Sequence, residues 1–280
     1  MTKIDVDYSS RPNKSLVRSR IFDITEETFR PQHVPYEELS YITFSGYSFI
    51  DSIEFYKRFN IRNIYSIENR ERLYRRAKFN RPYRFIDIIK GRIADFIDEK
   101  YKKVIGTKKV IYLDYESRFN DIIISDLEAL FSSGFFDKNS LLFITFNRGF
   151  NGNKLTSKVS EIIPNNIRTL EAFKTWLSEQ FSNLMLYQVQ RKYGYKKVLQ
   201  EVLKVFYCDT ANMVVFGYLI KDRKEEVAPL ETIQAEEFAL PVLTFLEENY
   251  IRNHLDGDPC DIADQLGLIR KDVRNYIKYT

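Results

Sequence analysis

The residues best placed for chemistry are a glycine and a carboxylate 22 positions apart, each closely following an apolar run. Gly46 stands in Phe44-Ser45-Gly46-Tyr47-Ser48 after Tyr41-Ile42-Thr43, and Glu68 follows Asn63-Ile64-Tyr65-Ser66-Ile67. In open α/β sheets, ligands bind beyond the C-terminal ends of the strands. There a turn glycine precedes, by about 20 residues, a carboxylate that accepts the hydroxyl protons of a ribose. A carboxylate at that position also suits the start of the next helix, where it accepts backbone N–H groups. The residue type alone leaves both tasks open.

Two further runs end in polar groups. Phe85–Ile89 leads into Lys90-Gly91-Arg92-Ile93-Ala94-Asp95, from which a side chain can reach an adenine edge. Val110–Leu113 leads into Asp114-Tyr115-Glu116, an acid able to orient or deprotonate a nucleophile beside a ring able to shape an acceptor pocket. Each has a structural counterpart: Asp114 as a loop-bonded carboxylate, Tyr115 as packing in a chain with 19 Tyr and 22 Phe. Between Arg70 and Arg84, seven cations face Glu71 alone. On a helix Arg72, Arg75 and Arg76 share a face, suited to phosphates, to a partner protein or to solvent. Cys208, Cys260, His33 and His254 form no cluster at zinc spacing, so no metal site is expected and both cysteines read as free thiols.

To bring these groups together the chain needs a parallel sheet. Strands are expected at Tyr41–Phe44, Asn63–Ile67, Phe85–Ile89, Val110–Leu113 and Leu141–Thr145, with helices between them. A helix follows over Thr169–Tyr193, on which Leu170, Phe173, Leu177, Phe181 and Leu184 recur at three- and four-residue steps. Val202–Tyr207 and Met213–Ile220 then form an antiparallel hairpin. The expected organisation is an N-terminal extension at 1–38, an α/β domain at 39–222, a charged linker at 223–238 and a helical domain at 239–280. With 44% hydrophobic and 29% charged residues, the 280-residue chain can bury a core, and its net charge of +4 is too mild to mark a nucleic-acid binder alone. The apolar stretch Met213–Ile220 falls far short of the ~20 residues that span a bilayer, and MTKIDVDYSSRPNK holds no signal core. A cytoplasmic protein without a membrane partner is expected.

The segments YITFSGYSFID, NIYSIEN, AKFNRPYRFI, VIYLDYE and FYCDTANMVVFGYLI, with DYSSRPNKSLVRSRIF and LTFLEENY, resemble a bacterial family of class I methyltransferase-like proteins dependent on S-adenosylmethionine. Its members are often encoded beside mobile-element or phage-defence genes. The resemblance implies a Rossmann-like sheet ending in an antiparallel hairpin. It also implies an S-adenosylmethionine pocket lined by Ser45, Gly46, Asp51, Glu68 and Asp95, with Asp114 and Tyr115 nearest the methyl group. Related sequences carry glycines where this chain has Thr43 and Ser45, and side chains there narrow the approach to a ligand. No proline follows Asp114, so the pattern of amino methyltransferases acting on bases is absent.

In the C-terminal run Asp261–Ile277, Ala263, Gly267 and Val273 are spaced by four and then six, as in a helix-turn-helix whose second helix presents Arg270, Lys271 and Arg274 to a nucleic acid. The plainer reading is a three-helix module, begun by Leu243–Leu255, that docks on protein. Three functions follow: methyl transfer to a nucleic-acid or protein acceptor, a cofactor-free scaffold in a defence complex, or a DNA-binding regulator.

Overall fold

The computed structural model describes residues 12–104, 107–136, 139–150, 157–164, 166–208 and 211–223. Helix α1 (Pro12–Phe29) leads into β1 (Ser40–Thr43), α2 (Ile50–Phe59), β2 (Asn63–Glu68), α3 (Glu71–Asn80), β3 (Ile86–Lys90), α4 (Ile93–Val104), β4 (Lys109–Arg118), α5 (Asp121–Ser132) and β5 (Ser140–Asn147). After α6 (Ser157–Ile162) and α7 (Leu170–Tyr193), the strands β6 (Lys197–Cys208) and β7 (Asn212–Asp222) close the sheet. The expected helical domain at 239–280, with Arg270, Lys271 and Arg274, lies outside the described residues, as does the linker beyond residue 223.

The seven strands lie in the order β3-β2-β1-β4-β5-β7-β6. The pairs among β3, β2, β1, β4 and β5 are parallel, while β7 runs antiparallel to both β5 and β6. A parallel sheet must be covered on both faces, and the strands meet this with near-continuous apolar runs. On one face Ile42, Ile67, Ile111, Leu113 and Ile144 pack with Phe96, Leu127, Phe181 and Met185 of α4, α5 and α7. On the other, Tyr41, Ile64, Val110, Tyr112 and Phe143 pack with Val17, Ile21, Ile24, Phe55 and Ala77 of α1, α2 and α3. The helix of the segment read as an extension is therefore part of this second core.

Strand β4 continues to Arg118, beyond the expected end at Leu113: polar Asp114, Glu116 and Arg118 end the apolar run, while backbone pairing with β5 goes on to Arg118. Its register against β5 shifts between Asp114 and Arg118. Such bulges re-aim side chains at strand ends, and this one lies immediately after Asp114.

Gly217 marks where the hairpin docks most tightly. A methyl group there would lie 2.8 Å from Leu203 Cβ and 2.8 Å from the ring of Phe143, between strands on both sides. Gly217→Ala should therefore lower stability by about 1–3 kcal/mol through overpacking, read as a lower urea midpoint at unchanged slope.

Candidate functional site

The site is built at the C-terminal ends of β1, β2 and β4. After β1 the chain passes through Phe44 to Phe49, with Gly46 at φ +60°, where a Cβ would meet nothing within 4 Å. The glycine is required by backbone geometry, and its open side leaves peptide groups approachable. Thr43 is fully buried, and Ser45 Oγ lies 2.6 Å from Ser52 Oγ, in a buried hydroxyl pair between the loop and α2. The two residues that stand in place of glycines are thus buried, Ser45 against α2, and the space around a Cβ on Gly46 is open.

Glu68 is 9% exposed. Its Oε1 accepts the backbone N–H of Arg70 at 2.8 Å and faces Arg70 Nε at 3.4 Å, while no described residue bonds Oε2. One oxygen steadies the start of α3, which is the capping task left open by the sequence. The backbone N–H of Gly91 donates to the Glu68 carbonyl at 3.1 Å, which joins the exits of β2 and β3. Asp95 reaches back to accept the Arg92 N–H at 2.7 Å, the return half of a capping box at the start of α4. Gly91, at φ +141°, leaves room for that carboxylate, which a Cβ would strike.

Strand alternation separates Asp114 from Tyr115. Val110, Tyr112 and Asp114 face α1, whereas Ile111, Leu113 and Tyr115 face α4, α5 and α7. Tyr115 donates its hydroxyl to Asp126 Oδ2 at 2.9 Å in the core, and burial raises both groups above their ordinary ranges. The structure does not bring the two together as neighbours in one pocket.

Two residues absent from the sequence expectation complete the site. Lys14 of α1 pairs with Asp114, and Arg18, one turn on, pairs with Asp51 of α2 at 2.5 Å; all four side chains are nearly buried. Burial pushes Asp51 up, and Arg18 is the chief opposing influence, followed by repulsion from Asp114 and attraction from Lys14. The available signal was two cations at four-residue spacing among the apolar Val17 and Ile21.

On α3, Arg75 pairs with Glu71 at 2.7 Å, Lys90 also meets Glu71, and the Arg76 guanidinium lies 3.8 Å from the centre of the Tyr47 ring. At the opposite end of the sheet, Gln32, His33, Glu37, Asn63 and Lys108 line an open cleft of about 550 Å³, remote from the strand ends described above. No group of three or more potential metal ligands occurs among the described residues, and none of their helices is long and apolar enough to cross a membrane.

A parallel sheet with an antiparallel closing hairpin, a turn glycine after β1 and a carboxylate after β2 define the Rossmann-like fold of the S-adenosylmethionine-dependent methyltransferases. The chain belongs to the family described as "Putative O-methyltransferase", which matches residues 6–280. No curated protein matches it. Among solved structures it is similar to an S-adenosylmethionine-dependent methyltransferase from Anabaena variabilis, with 14% identity, 76% of this chain and 87% of that one covered, and a TM-score of 0.41. It is also similar to TrmK from M. capricolum in complex with S-adenosylhomocysteine, with 11% identity, 92% and 97% covered, and a TM-score of 0.37. The cofactor is S-adenosylmethionine, and the residues at this end of the sheet fit such a group: an open backbone at Gly46, a nearly buried carboxylate ending β2, and buried charges of both signs.

Removing Arg18 should leave Asp51 buried without its main counter-charge. Arg18→Met should cost about 3–5 kcal/mol in chemical unfolding. A carboxyl whose folded pKa lies above its unfolded one is stabilising below the unfolded value, and that contribution is lost as pH rises through the folded value. The variant's deficit should therefore shrink as pH falls through the raised Asp51 range. A deficit independent of pH would assign the loss to packing.

Proposed function

We propose that the protein transfers a methyl group from S-adenosylmethionine to an oxygen of an acceptor brought to the end of β4, in bacterial nucleic-acid biology. The observation that carries this reading is Glu68, which ends β2 nearly buried with Oε2 bonded by no described residue, on the strand that neighbours β1 and its open turn at Gly46. The cofactor, when bound at this end of the sheet, would supply an electrophilic methyl carbon to the acceptor oxygen, with sulfur keeping the electron pair of the carbon–sulfur bond. In this reading Asp114, held by Lys14, accepts a hydrogen bond from the acceptor hydroxyl and takes its proton. The buried charges on α1, α2 and β4 exclude water from that corner and fix the carboxylate's orientation. The resemblance to proteins encoded beside phage-defence genes supports a defence setting for this chemistry.

One observation favours a second reading, a scaffold that has lost its cofactor: Asp51 and Asp114 are already neutralised by cations of α1. Calorimetric titration separates the two. S-adenosylhomocysteine should bind and, at a hundredfold excess over its dissociation constant, stabilise the fold by about 2.7 kcal/mol. Glu68→Ala should weaken binding on the order of 10- to 100-fold through lost charge-assisted hydrogen bonds. Absence of heat and of any thermal shift with either ligand would leave the scaffold reading standing.

A further inference from the structure

We propose that the outer stripe of α3, Arg72, Arg75, Arg76 and Phe79, docks a single-stranded nucleic acid, with Phe79 stacking on one base. These four residues stand at i, i+3, i+4 and i+7 and share one helix face. All four are exposed, Phe79 by 91%, while Ala77 on the opposite side is buried against the sheet. A single exposed aromatic is ordinary on a protein surface. This one ends a row of three guanidiniums and is followed by exposed Arg81 and Arg84. Glu71, the single acid of the segment, is met by both Arg75 and Lys90, so the surface keeps its positive balance.

The stripe is also joined to the loop after β1. Arg76 stacks on Tyr47, and Asn80 Nδ2 donates to the Tyr47 carbonyl at 3.2 Å, next to Gly46. A strand held along α3 would therefore lead toward the ends of β1 and β2, where the methyl donor is proposed to sit. Three classes of partner would use the face differently. A duplex conceals the faces of its bases and would engage the arginines alone. An acidic peptide would pair with the cations and leave Phe79 in water. An unpaired strand offers both phosphates and an open π-face, and so uses every member of the stripe.

The purpose of this docking rests on the methyl-transfer reading, but the binding does not and is measurable without cofactor. The full chain is titrated into labelled oligonucleotides of about 12 nucleotides, as single-stranded RNA, single-stranded DNA and duplex, with fluorescence anisotropy as the readout. Single strands of one or both sugars should bind more tightly than duplex. Phe79→Ala should weaken them by roughly five- to hundredfold, whereas Phe79→Trp should not. Replacing Arg72 and Arg75 by Ala should flatten the slope of log affinity against log salt by about 1.4. Because these side chains are exposed and a surface ion pair such as Arg75–Glu71 contributes little, the melting temperature should stay near, and S-adenosylhomocysteine binding at, wild-type values. Wild-type affinity in Phe79→Ala, a preference for duplex, or no binding to any oligonucleotide would each overturn the proposal. The last result, joined to loss of a protein partner in Phe79→Ala, would assign the stripe to a protein interface.

Discussion

Four charges withheld from water hold the C-terminal end of the sheet together. Lys14 and Arg18 of α1 meet Asp114 at the end of β4 and Asp51 in the first turn of α2. Burying an ion costs several kcal/mol, and mutual attraction offsets this only when geometry is good, so such pairs are weak evidence for stability. What they supply here is position. The lower turns of α1 are held by apolar contacts through Val17, Ile21 and Ile24, while the ion pairs fix its first turns against the mouth of the sheet. The loop after β1, the start of α2 and the bulged end of β4 are thereby brought to one corner.

The two-residue period of a strand decides which side chains can work there. Asp114 points to the α1 side and Tyr115 to the α5 side, so one adjacent pair in sequence serves two different ends: a charged corner and a structural hydrogen bond to Asp126. Along β1, Thr43 and Ser45 face the α1 and α2 core, which allows residues other than glycine without closing the space before Gly46. Two residues of this loop take positive φ, Gly46 at +60° and Phe49 at +54°, and glycine does so without strain.

Much of this architecture was legible because it depends on local pattern. Five short apolar runs, each close to an observed strand, and the paired runs at Val202–Tyr207 and Met213–Ile220 reported the parallel sheet and its antiparallel finish. Gly46 and Glu68 were legible from spacing. That Glu68 accepts the backbone N–H of Arg70 through one oxygen is set by three-dimensional placement. Lys14 and Arg18 were missed because a cation on an amphipathic helix ordinarily faces water, and only the packing of α1 over the strand ends shows that these two do not. The extension of β4 was missed because its polar residues end the apolar signal while the backbone pairing continues through a bulge.

On the proposed function, a methyl donor occupies the corner formed by the β1 loop, Glu68 and the buried charges of α1. Hydrogen exchange with and without saturating S-adenosylhomocysteine tests it directly, because protection reports where a ligand suppresses local opening. Exchange should slow in the segment from Phe44 to Asp51, at Glu68 through Arg70, and in the first turns of α1. Protection confined to the cleft around His33 and Lys108, or no change anywhere in the sheet, would contradict the account.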